Sequence, residues 1–230
     1  MLWYLANGSL NDYLKSQIAI QGQYYTGQSS SVAYADFSPA TNTATFKQLK
    51  VENLAFAKAH HVLSIDHVEV ELAKTQNQAL LTRINRLSIN TLTINIEQGD
   101  NKITNVEQLV EQITLKLALD YPEFYPAIAA KVYAQHNPEM NAEEYAKKNP
   151  QVGPIIAHTK AKKKRGKAQA KILVELLTIN TLALQFASDG STKSINKQDI
   201  RIDAFKNGQG LVANQLGGEI LLHLLNLAIH

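Results

Sequence analysis

The residues able to do chemistry are few, and their spacing suits it badly. His60, His61 and His67 could ligate a metal through imidazole nitrogens, but a strand-like segment separates them and no carboxylate completes a ligand spacing. Surface histidines of a hairpin are the plainer reading. Glu143-Glu144 and the Asp120/Glu123 pair could pose as acid–base couples. Such a couple needs environments that drive its two pKa values apart, which carboxylates on a helix surface lack. Gly208-Gln209-Gly210 misses the third glycine of a phosphate-binding turn and reads as a turn before a helix. The chain has no cysteine, which excludes disulfides, thiolate metal sites and cysteine nucleophiles. It also lacks G-x-S-x-G and H-E-x-x-H. The expectation is a non-enzyme with no catalytic residue, no metal site and no cofactor.

Charge narrows the partners further. The whole chain carries +3, yet Lys160, Lys162, Lys163, Lys164, Arg165 and Lys167 alone carry six positive charges, leaving −3 on the remainder. A mildly acidic protein with one basic segment makes a weak case for nucleic acid. The segment has no neighbouring aromatic residues to stack on bases. It reads first as a solvated linker, then as a contact for anionic lipid headgroups, and last as a nucleic-acid site.

With 230 residues, 45% of them hydrophobic, the chain can bury a substantial core. We expect one domain over residues 1–230. Charged residues are only 19%, and Thr, Asn and Gln fill the polar positions instead, which suits strands. The spacing predicts helices over 3–18, 105–118 and 209–228, and strands over 18–25, 28–37, 43–56, 62–73, 81–97, 168–187 and 193–205. Gly217-Gly218 inside the last helix would either allow close packing on the sheet or kink it. Five of the six prolines lie between Pro122 and Pro154, so residues 120–167 read as an excursion with short helices at 123–135 and 140–148. No apolar run reaches the ~20 residues of a membrane span. Met1–Ala6 is too short for a signal sequence and reads as the last turns of something apolar.

The sheet that must organise these elements has an unusual signature. Leu63, Ile65, Val68, Val70 and Leu72 are spaced two, three, two, two. So are Leu87, Ile89, Leu92, Ile94 and Ile96, and again Leu177, Ile179, Leu182, Leu184 and Phe186. Period two gives a strand with one dry face. The step of three would throw half of each stripe onto the other face, unless a β-bulge restores it and bends the strand. The fold class expected is α+β: a long, strongly twisted antiparallel sheet with bulged strands, flanked by N-terminal, central and C-terminal helices. Leu87-Ser88-Ile89-Asn90-Thr91-Leu92 also resembles Leu177-Thr178-Ile179-Asn180-Thr181-Leu182, which points to repeated sheet units. The fifteen stripe residues form either a trough for acyl chains or an ordinary core under the helices. Both need the same alternation, so periodicity does not separate them; core is the reading favoured for most of the fifteen.

The order of helix, glycine-containing hairpin and Thr43-Ala44-Thr45-Phe46-Lys47-Gln48-Leu49-Lys50-Val51-Glu52-Asn53 resembles the AsmA-like family of bacterial envelope proteins. The likeness continues through 63–72, Ile84-Asn85-Arg86-Leu87-Ser88-Ile89, Asn95-Ile96-Glu97 and the helix start at 101–110. It resumes from Ile195 to Ile202 and in the helix at 209–228, while 120–160 departs from it. The resemblance implies an inner-membrane anchor upstream, a periplasmic body, and a part in outer-membrane biogenesis or lipid handling through a β-groove. Its expected partners are phospholipid or a membrane surface and other envelope proteins, not nucleic acid. The competing expectation is a structural or interaction module with a closed core, recruiting partners through its sheet edge or the 120–167 excursion.

Overall fold

Alternating apolar residues on long segments give a sheet one dry face, and the helices between those segments supply its cover. The computed structural model describes residues 2–74, 80–136, 170–188 and 191–229. Its elements run α1 (Leu2–Thr26), β1 (Ser30–Ser38), β2 (Thr43–Glu52), β3 (His61–Leu72), β4 (Leu81–Glu97), α2 (Asn105–Asp120) and α3 (Pro126–His136). Then follow β5 (Lys171–Val174), β6 (Leu176–Ser188), β7 (Ser191–Asp203), a 3-10 turn (Phe205–Gly208), β8 (Leu211–Val212) and a last helix, α4 (Ala213–Asn226). The strands form one sheet in the order β1-β2-β3-β4-β5-β8, with β6 beside β4 and β7 beyond β6. The fold is α+β, with helices flanking a mixed, mostly antiparallel sheet.

Three expectations need correction. Residues 18–25 continue α1 instead of forming a strand. Ile18 and Ile20 alternate, but Gly22, Tyr25 and Thr26 are the buried positions, which is a helical period. Gly27, at φ 67°, ends the helix by donating its N–H to the Gln23 carbonyl at 2.8 Å. The sheet is also not wholly antiparallel, because β5 and β6 both run parallel to β4. The chain leaves β4 at Glu97 and returns only at Lys171, the kind of long crossover that parallel neighbours require. The repeated strings thereby become in-register neighbours, Leu87 beside Leu177, Ile89 beside Ile179 and Leu92 beside Leu182. Like meets like on the polar face too, where Thr178 Oγ1 lies 3.2 Å from Ser88 Oγ and Asn180 donates to Asn90 Oδ1 at 3.3 Å.

The third correction concerns the step of three. A bulge on one strand would shift register, yet register is unbroken across every slip: Ile65 pairs with Leu92 and Val68 with Ile89. Each strand takes its extra residue at nearly the same row as its neighbour, so the slips match. Register breaks instead fall at Val51/Glu52 and Glu71/Leu72. Along the shared row the backbone ladder opens and Asp66 fills it. Its carboxylate accepts from the N–H groups of His67 (2.6 Å) and Thr91 (2.7 Å) and from Asn90 Nδ2 (2.8 Å). Gln48 and Asp199 take up left-handed backbone at the same row in β2 and β7, with φ 53° and 54°. All five stripe positions of β4 stay buried despite the slip.

Most of the core lies between this dry face and the helices. Leu92, Ile94, Leu177, Ile179 and Leu182 meet Leu109, Ile113 and Leu117 of α2 in one cluster, all inaccessible to solvent. Each such side chain contributes roughly 1.5–3 kcal/mol by burial. A capping box starts α2: Thr104 Oγ1 accepts from Glu107 N at 3.1 Å, and Glu107 Oε2 accepts from Thr104 N at 2.7 Å. The two glycines of α4 serve close packing on helices, not on the sheet. A Cβ at Gly218 would stand 2.7 Å from the Tyr25 ring and 2.9 Å from Leu117, and one at Gly217 would collide with Gln21.

Candidate functional site

Where α1 and α4 bridge the dry face of β2, β3 and β4, the packing leaves a cavity of about 180 Å³. Its floor holds five of the fifteen stripe residues, Ile65, Val68, Val70, Leu87 and Ile89, with Phe46, Leu49 and Val51 from β2. Its roof is Ile18, Gln21 and Gly22 of α1 and Gly217, Ile220, Leu221 and Leu224 of α4, and Ser30 of β1 also lines it. Gln21 Nε2 donates to Asn214 Oδ1 at 3.0 Å, tying the two roof helices together. The other ten stripe residues lie elsewhere. Leu63, Leu92, Ile94, Ile96, Leu177, Ile179, Leu182 and Leu184 are sealed in the core, and Leu72 and Phe186 pack partly buried against it. Sequence reasoning found the floor and the covering helix at 209–228, but missed the share of the roof that α1 supplies. Gly22, spaced from Ile18 at i and i+4, was the available signal.

The opposite face of the sheet is polar and forms an open hollow of about 870 Å³ along the slipped row. Lys47, Asp66, Glu69, Arg86, Asp199 and Arg201 line it. Partial burial pushes the Asp66 carboxyl up, but its three donors outweigh that and hold it below its ordinary 3.8. Arg86 pairs with Glu71 at 3.3 Å and Arg201 with Asp203 at 3.0 Å, so this surface presents balanced charge. His67 lies here, whereas His60 and His61 pack edge to face, ring centroids 4.5 Å apart, at the start of β3. Among the described residues no group of three or more His, Cys, Asp or Glu could hold a metal ion. Asp120 accepts from the Tyr24 hydroxyl at 2.9 Å, and burial pushes its carboxyl up. Glu143-Glu144, the helix expected at 140–148 and the basic residues Lys160, Lys162, Lys163, Lys164, Arg165 and Lys167 lie outside the described residues.

A second polar cluster escaped sequence reasoning altogether. Gln215, Glu219 and His223 follow one another at i, i+4 and i+8 on α4, and the first two are each 2% exposed. Glu219 Oε1 accepts from the Tyr125 hydroxyl at 2.6 Å, and Lys206 Nζ lies 2.5 Å from Oε2. Lys206 reaches it from the 3-10 turn, where Ala204, Lys206 and Asn207 all have positive φ (47°, 54° and 56°). His223 packs edge-on against Phe205, ring centroids 5.6 Å apart. Burial, and then the nearby Lys206 charge, hold the His223 imidazole below its ordinary 6.5. The unfolded chain therefore takes up this proton first as pH falls. Stability from neutral His223 is complete above about 6.5 and declines as pH drops below it towards the lower folded value. Urea unfolding between pH 7.5 and 5 should show that decline, and His223→Gln should flatten it; an unchanged slope in the variant would exclude His223 as its source.

No helix among the described residues is long and apolar enough to cross a membrane. No protein-family model matches this chain, and no curated protein matches it.

Proposed function

We propose that this chain is a non-enzymatic protein of the bacterial envelope that shelters an apolar segment of lipid between its sheet and helices α1 and α4. The observation that carries this reading is the cavity of about 180 Å³, whose lining is apolar apart from Gln21 and Ser30. An apolar cavity of ~150 Å³ stays dry and takes up benzene. This one lies below the ~300 Å³ at which pockets for whole drug-sized ligands begin. It suits a stretch of acyl chain, each buried methylene adding about 0.8 kcal/mol. The likeness of the apolar spacing to AsmA-like proteins supports such a role in the periplasm, at the inner membrane, in outer-membrane biogenesis or lipid handling.

Protein purified from cells and extracted with organic solvent should release a stoichiometric lipid, identified by mass spectrometry. Val70→Phe, which fills the cavity from a half-buried position, should reduce that yield several-fold while the protein stays folded. Extracts without lipid, together with no uptake in vitro, would remove this reading.

One observation favours a second reading, an interaction module without cargo. Among the described residues β7 is an edge strand paired only with β6, and residues 192–199 are all exposed. An open edge can accept a strand from a partner. Lipid-free protein that loses a partner when Ile195 is replaced by proline would support it.

A further inference from the structure

Helix α1 buries one side and leaves an apolar stripe on the other. Ile18 and Gly22 face the cavity and Tyr25 the core. On the outer side Leu10, Tyr13, Ile20 and Tyr24 are 38–57% exposed. With Gln17 they fall at steps of three, four, three and four, and Trp3 and Ala6 continue the series to the start of the helix. A 3–4 repeat held over three heptads is the seam of a coiled coil, narrower than the apolar face of a helix packed on a sheet. Trp3, Leu10, Gln17 and Tyr24 take the a positions of that repeat, and the others its d positions. The flanking e and g positions between Leu10 and Tyr24 are Leu14, Ser16, Gln21 and Gln23. None is charged, so two identical helices can meet there without like-charge repulsion. A lipid surface fits this face poorly. Helices that lie in a membrane interface are rich in Lys and Arg, whereas the one basic residue of α1, Lys15, is paired with Asp12 at 3.0 Å.

We propose that the outer face of α1 is a dimerisation seam, occupied by α1 of a second copy of this chain with the two helices parallel and in register. The orientation follows from Gln17, the one polar residue of the seam, which sits at an a position. In a parallel pair each Gln17 faces its twin, and the two amides exchange a hydrogen bond. An antiparallel pair sets a positions against d positions and buries Gln17 opposite an apolar residue, with no partner for its amide. Tyr24 closes the seam from a fixed position: its hydroxyl donates to Asp120 at 2.9 Å, and Lys116 Nζ lies 4.8 Å from its ring centroid. The interface is isologous, so every contact is made twice. Because the seam lies on the exposed side of α1, dimerisation neither requires nor excludes a lipid in the cavity.

Sedimentation velocity of the full chain, purified without detergent, should show a dimer that dissociates on dilution. Ile20→Glu removes an apolar side chain from each copy and sets two carboxylates face to face, which should weaken the dimer about a hundredfold or more. Ile20 is exposed, so the far-UV circular dichroism of this variant should match the wild type. The chain has no cysteine of its own, so a single introduced one reports on position directly. Under mild oxidation Gln17→Cys should form a disulfide-linked dimer about tenfold faster than Asp12→Cys, which is exposed but lies outside the seam. A monomer at every workable concentration, or a dimer untouched by Ile20→Glu, overturns the seam. Equal crosslinking of the two cysteine variants overturns the parallel register and the proposal with it. A monomer that floats with phosphatidylglycerol–phosphatidylcholine vesicles, and no longer does so as Ile20→Glu, assigns this face to a membrane surface and equally overturns it. None of these outcomes bears on the lipid that solvent extraction recovers from the cavity.

Discussion

Replacing Asn105 by leucine is expected to lower the free energy of unfolding by about 3–5 kcal/mol. That is a large share of the ~5–15 kcal/mol that holds a typical domain together. Asn105 is 0% exposed and uses its whole side-chain amide. Oδ1 accepts from Glu97 N and Val106 N, each at 2.9 Å, while Nδ2 donates to Asn53 Oδ1 and the Asn95 carbonyl, each at 2.8 Å. Its partners are themselves committed. Asn53 donates to the Ala59 carbonyl at 3.0 Å, and the Glu97 carboxylate accepts from the N–H groups of Lys58 and Ala59 at 2.7 Å. Asn105 therefore clamps the end of β4, the start of α2 and the β2–β3 connection to one another. Leucine has similar bulk, so the loss would come from polar groups stranded without water, not from a void. Urea unfolding measures it: a lower midpoint with an unchanged slope is expected, and a loss below about 1 kcal/mol would show that the network relaxes around the vacancy.

Much of this architecture was legible because its strands have one dry face. β4 begins and ends where the alternation does, at 81 and 97, and α2 contains the face Val106, Leu109, Ile113 and Leu117. Other features were hidden for identifiable reasons. Periodicity says which face a residue occupies but nothing about the direction of the neighbouring strand, so the parallel pairing of β4 with β6 could not be read from it. The recurring Ile-Asn-Thr-Leu was its trace, since in-register parallel neighbours place equal residues side by side. Residues 18–25 misled because two isoleucines alternate over a stretch too short to separate a strand from a helix. The buried positions Gly22, Tyr25 and Thr26 follow the helical period, with Gly22 close against Ser30 of β1.

The candidate site was half legible for the same reason. Stripe residues identify the dry face, but whether a given one lines a cavity or seals the core depends on what covers it. Ile65 and Leu63 are two residues apart on one strand, yet Ile65 lines the cavity while Leu63 is sealed within the core. The difference is set by α1 and α4, and by glycine contacts made between residues far apart in sequence. Glu219 was passed over because α4 reads as apolar, with Leu216, Ile220, Leu221 and Leu224 around it. The i, i+4, i+8 spacing of Gln215, Glu219 and His223 was the visible sign that one stripe of that helix faces polar groups.

That stripe gives the second large effect. Lys206→Met should destabilise the protein by about 2–4 kcal/mol, because it strands a carboxylate whose side chain is only 3% exposed. The Lys206 side chain is 37% exposed, so water can partly replace it, which keeps the figure below that for a fully enclosed pair. Methionine retains the length and apolar stem of lysine, isolating the charge. Both residues would carry the same backbone strain at φ 54°. Lys206→Gly loses the same charge but relieves that strain, so it should be less damaging than methionine by about 1 kcal/mol. The double variant Lys206→Met/Glu219→Leu should recover much of the loss, since an apolar pair of similar size needs no desolvated partner, although the Tyr125 hydroxyl then gives up its acceptor. A double-mutant cycle by urea unfolding separates these contributions. If the two single losses simply add in the double variant, Glu219 and Lys206 are not coupled, and the left-handed turn at 204–207 is held by its own backbone instead of by the charge it delivers to α4.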